Sequence, residues 1–209
     1  MTIMNFVKKI FGIKMNLDDE IIQKYCKGKG VEIGGSAHNE FQINALNIDI
    51  SRHDNPEDEH AITQMKYAKR IKKVDIIADG CDIPLKDNSV NFVFSCHVIE
   101  HFFDPISAIN EWLRIVKTGK CVVMVIPNKE LTYDKDRECS TIEDIENRHK
   151  IFDKNVKYED KHHSVWTPES FLELMKYYKY NVVAYSKSVR NFNNSFCVAI
   201  KKDKNYKHE

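Results

Sequence analysis

The stretch VEIGGSAHNEFQINALNIDIS, residues 31–51, decides the fold. Its first residues, with Gly30, form a short apolar run that reads as a strand and passes straight into Gly34-Gly35-Ser36. Small residues at the end of a strand let the backbone approach a ligand, and the amides that follow can face it. The run ALNIDIS (45–51) reads as a second strand closing on Asp49. A carboxylate there, about one strand-helix-strand pitch after the glycine turn, can accept both hydroxyls of a ribose.

Working outward, LDDEIIQKYC (17–26) reads as an amphipathic helix that stops at Gly28 and Gly30. Downstream, the helix-compatible AITQMKYAKRIKK leads to a third strand, VDIIAD (74–79), and NFVFSC (91–96) is a fourth. DPISAINEWLRIVK (104–117) has helical apolar spacing, and CVVMVIP (121–127) suits a buried strand. Strand and helix alternate, which predicts parallel βαβ units. TPESFLELMKYY is again helical, with Thr167 as N-cap and Pro168 in the first turn. NVVAYSKSV and SFCVAIKK are two strand-like runs joined through residues 190–194, a hairpin. The expected organisation is one domain over residues 1–209, with an N-terminal helical segment at 1–27 and a polar, aromatic-flecked insertion or lid at 128–167.

Composition narrows the function classes. The chain has 32 Lys plus Arg against 31 Asp plus Glu, a formal charge of +1, so no global field holds a polyanion and nucleic acid is not expected as a partner. Lys69-Arg70 and Lys72-Lys73 read as the solvated face of a charged helix. Six cysteines without a C-x-x-C pair argue against a zinc knuckle or disulfide framework and fit a reducing cytoplasm. Lys8, Lys9 and Lys14 interrupt the apolar residues of Met1 to Met15, so neither a signal peptide nor a transmembrane segment is expected there.

VEIGGS, NIDIS, ADGCDIPLKDNSVNFVFS, HVIEHF and RIVKTGKCVVMVIPN occur in this order. Together they resemble the class I S-adenosylmethionine-dependent methyltransferases, in the branch that acts on small molecules. The resemblance implies an α/β fold: a Rossmann-like, seven-stranded, mostly parallel sheet with helices on both faces and a C-terminal antiparallel hairpin. It implies S-adenosylmethionine as cofactor and S-adenosylhomocysteine as product. By the same resemblance Glu32, Gly34, Gly35 and Ser36 shape the methionine pocket, and Asp49 binds the ribose. Asp79 reads the adenine amino group beside Gly80 and Cys81, and Ser95 and Cys96 flank the methionine part. The chain departs from the family's three spread glycines in reading G-G-S-A-H, although Ser36 and Ala37 are still small. The G-x-G-x-x-G of nicotinamide enzymes is absent.

Methyl transfer from a sulfonium is an in-line displacement, so the protein must chiefly hold the acceptor against the methyl group. A hydroxyl acceptor also loses a proton, and histidine suits a general base near neutral pH. His97 and His101, four apart in HVIEH, would share a face bordering the cofactor if helical. His162 and His163 lie in the insertion expected to cover the acceptor, and with Asp160 they are candidate ligands for a divalent metal. Adjacent strand residues point to opposite faces, so joint ligation would need an irregular loop. Trp166, Tyr133, Phe152 and Tyr158 are candidates to stack on a sugar ring or to pack the lid. RHKIFDK and DKHHSVWTPESF are similar to segments of methyltransferases found among bacterial surface-polysaccharide enzymes. The expected acceptor is therefore a hydroxyl of a sugar or sugar phosphate in surface-glycan biosynthesis. The alternatives are a small amine, or a methyltransferase-like binding protein without catalysis, against which the intact Asp49 and Asp79 argue.

Overall fold

The computed structural model describes residues 20–36, 41–52, 55, 57–67, 69–152, 161–190 and 192–206. Its elements run α1 (Glu20–Tyr25), β1 (Val31–Ile33), β2 (Leu46–Asp49), α2 (Glu59–Tyr67), β3 (Ile76–Ile77), β4 (Val90–Cys96) and α3 (Pro105–Ile115). They continue with β5 (Val116–Pro127), α4 (Ile142–Ile151), α5 (Pro168–Tyr177), β6 (Val182–Ser186) and β7 (Ser195–Lys201). Short 3-10 turns at Ile99–His101 and Lys129–Leu131 follow β4 and β5.

Among the described residues seven strands form one sheet in the order β3-β2-β1-β4-β5-β7-β6. The pairs from β3 through β5 are parallel, and β7 runs antiparallel to both β5 and β6, so the last strand is inserted between its neighbours as the resemblance implies. Period-2 alternation sends Val31, Ile33, Val93, Val122 and Met124 to one face, where they meet Ile109 and Trp112 of α3 and Phe171 of α5. Phe92, Phe94, Val123 and Val125 point to the other face, against Ile21 and Ile22 of α1. Helices thus cover both faces, and β5 from Cys121 to Pro127 is buried throughout.

Local chemistry places the helices. Asp104 caps α3, its Oδ1 accepting from the amides of Ile106 at 3.0 Å and Ser107 at 3.2 Å, with Pro105 in the first turn. Thr167 caps α5 in a box with Ser170, as the sequence indicates.

Two boundaries differ from the sequence reading. The third strand is a ladder of only Ile76 and Ile77, and Asp79 lies in the turn beyond it. There its Oδ1 accepts from the Cys81 amide at 2.8 Å, a local bond that favours the turn over continued pairing. The insertion at 128–167 contains helix α4, which buries only Ile145 completely and so shows little apolar period. Its usable signal was the capping box between Thr141 and Asp144. All six cysteines are free. Among the described residues no helix is long and apolar enough to cross a membrane.

Candidate functional site

The carboxyl ends of the parallel strands form the first half of the site. Gly34 has φ +66°, and a Cβ there would stand 2.5 Å from Cγ2 of Val98, so glycine is required on both conformational and steric grounds. The amides of this turn bond within the protein. Gly34 donates to the Ile48 carbonyl at 2.8 Å, Gly35 to Asn47 Oδ1 at 3.1 Å and Ser36 to Asp49 Oδ2 at 3.3 Å. The turn is therefore stapled to β2, and these three amides are engaged within the protein, whereas residues 37–40 lie outside the described residues.

Beneath the turn, Glu32 is 1% exposed and forms an ion pair with Lys72. Lys72 thus leaves the solvated face where its charge run would place it. Asn47, fully buried, holds the structure from the other side. Its Nδ2 donates to Ser36 Oγ and to the Lys73 carbonyl, both at 3.2 Å, and its backbone amide donates to Asp75 Oδ2 at 2.8 Å. Sequence reasoning singled out neither Asn47 nor Lys72 as a site residue: Asn47 opens the NIDIS motif, where Asp49 is the candidate, and Lys72 belongs to none of the motifs that carry the resemblance.

Asp49 and Asp79 sit half-buried at neighbouring strand ends, joined through the Ala78 amide, which donates to the Asp49 carbonyl at 3.0 Å. Gly80 is buried, and a Cβ there would lie 2.5 Å from the Phe102 ring. Cys81 beside it is buried, and its thiol pKa is pushed up first by desolvation and then by the Asp79 charge. Ser95 is fully buried opposite Ile33 of β1, and its hydroxyl has no hydrogen-bond partner among the described residues. Cys96, one residue on, points to the opposite face, into the apolar cluster of Phe92 and Phe94.

The second half lies beyond β4 and β5. His97 has φ +54°, and its amide donates to the Val125 carbonyl at 3.0 Å. Its Nε2 lies 2.6 Å from Ser195 Oγ, and its ring centroid is 5.1 Å from that of Phe192. This left-handed residue reverses the chain before the 3-10 turn, so the i, i+4 relation expected for a helix does not hold. His97 faces β7, whereas His101 faces the insertion.

There His101 meets His162, with ring centroids 4.8 Å apart at 86°. Asp134, 2% exposed, lies 2.5 Å from His162 Nδ1 and is held by Arg137 at 2.7 Å. The hydroxyl of Tyr133 is 2.7 Å from His162 Nε2. Glu100, fully buried, stands 3.9 Å from His162 Nε2 and 4.0 Å from His101 Nε2. Desolvation raises its carboxyl pKa to about 8. Sequence reasoning missed Glu100 and Asp134 as site residues, although Glu100 lies within the HVIEH motif it quoted.

The insertion is fastened down. The Ser164 amide donates to the Glu100 carbonyl at 3.1 Å, and Asn128 bridges Trp166 in parallel. Arg148 donates to the Phe103 carbonyl at 2.8 Å and Ser164 Oγ at 2.7 Å, while His149 Nδ1 lies 2.6 Å from Asp104 Oδ2. His163 turns away from His162 toward the Phe103 ring, 5.7 Å between centroids. Asp160 and Tyr158 lie outside the described residues. Trp166 is 1% exposed and packs edge-on against Phe171, so it is core, and Phe152 packs partly buried against the same cluster. Of the three described aromatics Tyr133 is the exposed one, at 78%, with its ring 5.0 Å from that of His162.

Residues 32–124 match the methyltransferase domain family. No curated protein sequence matches the chain. Solved structures share its fold. An S-adenosylmethionine-dependent methyltransferase from Methanosarcina mazei is 17% identical, with 90% of this chain and 99% of that one covered and a TM-score of 0.54. One from Aquifex aeolicus is 15% identical, with 93% and 91% covered and a TM-score of 0.51. A Thermotoga maritima protein, called a possible histamine N-methyltransferase, is 19% identical, with 85% and 83% covered and a TM-score of 0.51.

Proposed function

We propose that this S-adenosylmethionine-dependent methyltransferase transfers its methyl group to a hydroxyl oxygen of a small polar acceptor, held where Glu100, His101 and His162 converge. The residues present fit the cofactor. Ser95 offers a buried hydroxyl without a partner among the described residues, and Asp49 and Asp79 offer carboxylates at adjoining strand ends. In this reading Asp49 takes the ribose hydroxyls and Asp79, with Gly80 and Cys81, the adenine. Ser95 takes the amino-acid part, and Glu32, Gly35 and Ser36 hold the turn in shape. Cys96, buried on the other face, supports the strand. The cofactor supplies an electrophilic methyl on a sulfonium, and the chain's own residues orient the acceptor and receive or disperse its proton.

The observation that carries an oxygen acceptor is the Asp134–His162 contact at 2.5 Å. A carboxylate can only accept, so it fixes Nδ1 as the donor and leaves the Nε2 lone pair directed at the site. The Tyr133 hydroxyl lies 2.7 Å from Nε2 and 3.2 Å from Nδ1, beside the ring and off the Nε2 lone-pair direction, which leaves that direction to an acceptor O–H. The exposed Tyr133 ring and the likeness of RHKIFDK (148–154) and DKHHSVWTPESF (160–171) to segments of polysaccharide-associated methyltransferases favour a sugar or sugar phosphate handled in the cytoplasm. Calorimetry with S-adenosylmethionine, followed by product detection across sugars, sugar phosphates and amines, tests the reading. Methylated amines with untouched sugars would replace the acceptor class, and no heat at millimolar cofactor would remove the proposal.

A further inference from the structure

The sequence directs attention to His162 paired with His163 as a metal-binding candidate, but the fold separates them and puts His162 against two residues of the turn after β4. One ligand atom each from Glu100, His101 and His162 lies within 4.8 Å of the others. Neither oxygen of the buried Glu100 carboxylate accepts a hydrogen bond from a described residue. A buried carboxyl group calls for a proton, a pairing charge or a metal, and two imidazoles bring their Nε2 atoms to 4.0 Å and 3.9 Å of its Oε1.

We propose that Glu100, His101 and His162 bind one divalent transition-metal ion, of the zinc and manganese class, on the acceptor side of the methyl-transfer site. That placement rests on the proposed function; the ion site itself does not. Two imidazole nitrogens and one carboxylate oxygen suit zinc and its first-row neighbours rather than calcium or magnesium, which prefer all-oxygen shells. Three protein ligands leave a position open for water or an acceptor hydroxyl, which the ion would polarise as a Lewis acid; with the ion bound, that polarisation replaces proton transfer to His162, whose Nε2 lone pair the ion takes.

A second observation supports the ligand role of His162. Metal-bound histidines characteristically donate their other ring N–H to a carboxylate, which sets the tautomer and raises basicity. Asp134 stands in that position, itself 2% exposed and tied to Arg137. The Ser164–Glu100 backbone bond holds the His162 segment against the turn. Ligand atoms around a tetrahedral zinc are roughly 3.3 Å apart, so closing the trio onto an ion takes side-chain movements of the order of 1 Å. The Tyr133 hydroxyl, beside the His162 ring, leaves the Nε2 lone pair to the ion.

The test loads the full, untagged chain with zinc or cobalt, removes excess by gel filtration, and measures bound metal by mass spectrometry and the cobalt ligand-field spectrum. About one equivalent is expected, with a spectrum typical of nitrogen and oxygen ligands and a raised unfolding temperature. Glu100→Gln and His162→Asn should each lose the spectrum and weaken affinity at least tenfold. Asp134→Asn should weaken it by 10- to 100-fold, and His163→Ala should leave it unchanged. Circular dichroism in chelator confirms that each variant is folded. Less than about a tenth of an equivalent retained by the parent, or parent-like binding in folded Glu100→Gln and His162→Asn, overturns the site. Calorimetry with S-adenosylmethionine on the same samples separates the two readings. Cofactor binding without metal binding overturns only the ion site, and metal binding without cofactor binding overturns only the methyltransferase reading.

Discussion

Glu32, one of the three residues of β1, is paired with Lys72, which arrives from the loop before β3 and is itself largely buried. The pair lies beneath the glycine turn, and a Cβ at Gly35 would come within 3.0 Å of Glu32 Cδ. The carboxylate just before the glycine turn is therefore held beneath it by a lysine that its sequence surroundings mark as surface.

Removing one partner of such a pair leaves a buried charge, at a cost of about 3 to 5 kcal/mol. Lys72→Met should destabilise the protein on that scale in urea unfolding, and Glu32→Gln in the same background should recover a large part of the loss. Similar stability in Lys72→Met and the parent would show that the pair carries no structural weight.

Asp49 and Asp79 differ in the contacts they can spare. If Asp49 accepts both ribose hydroxyls, Asp49→Ala should weaken cofactor binding by roughly 2 to 4 kcal/mol, through lost charge-assisted bonds and unsatisfied donors. Asp79→Asn keeps an acceptor oxygen and should cost less. Calorimetric dissociation constants decide this, and an Asp49→Ala protein that binds like the parent removes the ribose assignment.

The buried Glu100 makes metal-free stability depend on pH. Its folded-state pKa is raised to about 8, above the ordinary carboxyl value, so between those limits the folded state binds more protons than the unfolded one. Stability conferred by the protonated form is complete below the unfolded pKa and is lost as pH rises through the folded one. In chelator, Glu100→Gln should therefore gain on the parent between pH 5 and pH 8, by the order of 1 to 3 kcal/mol. A gap between the two unfolding curves that stays constant across this range contradicts the shift.

His162 and His97 should behave differently in turnover. Once an acceptor is found, His162→Ala should lower turnover by ~10²-fold or more with cofactor affinity nearly unchanged, because the proposed site sets it against the acceptor and away from the strand ends. His97→Ala removes the contact with Ser195 at β7 and should act mainly on stability. Full activity in His162→Ala and His101→Ala would leave positioning alone to carry the reaction.

The sequence by itself determined the strand and helix alternation, the glycine turn and the cap at Thr167, while the inserted last strand came with the family resemblance and the Asp104 cap emerged only in the structure. The first three follow from neighbours in the chain: period-2 burial in β4 and β5, a left-handed φ at Gly34, and a side-chain oxygen three residues before the amide it caps. The acidic strand ends were legible for the same reason. Only the tertiary structure decided the rest. Glu100, Asp134 and His162 are distant in sequence, and they meet because the insertion lies along the end of β5 through the Asn128–Trp166 bridge and the Ser164–Glu100 bond. No local pattern encodes that meeting, nor the turn of Lys72 toward Glu32. Both are settled by burial: a charge taken out of water has to find a partner wherever the packed chain brings one within reach.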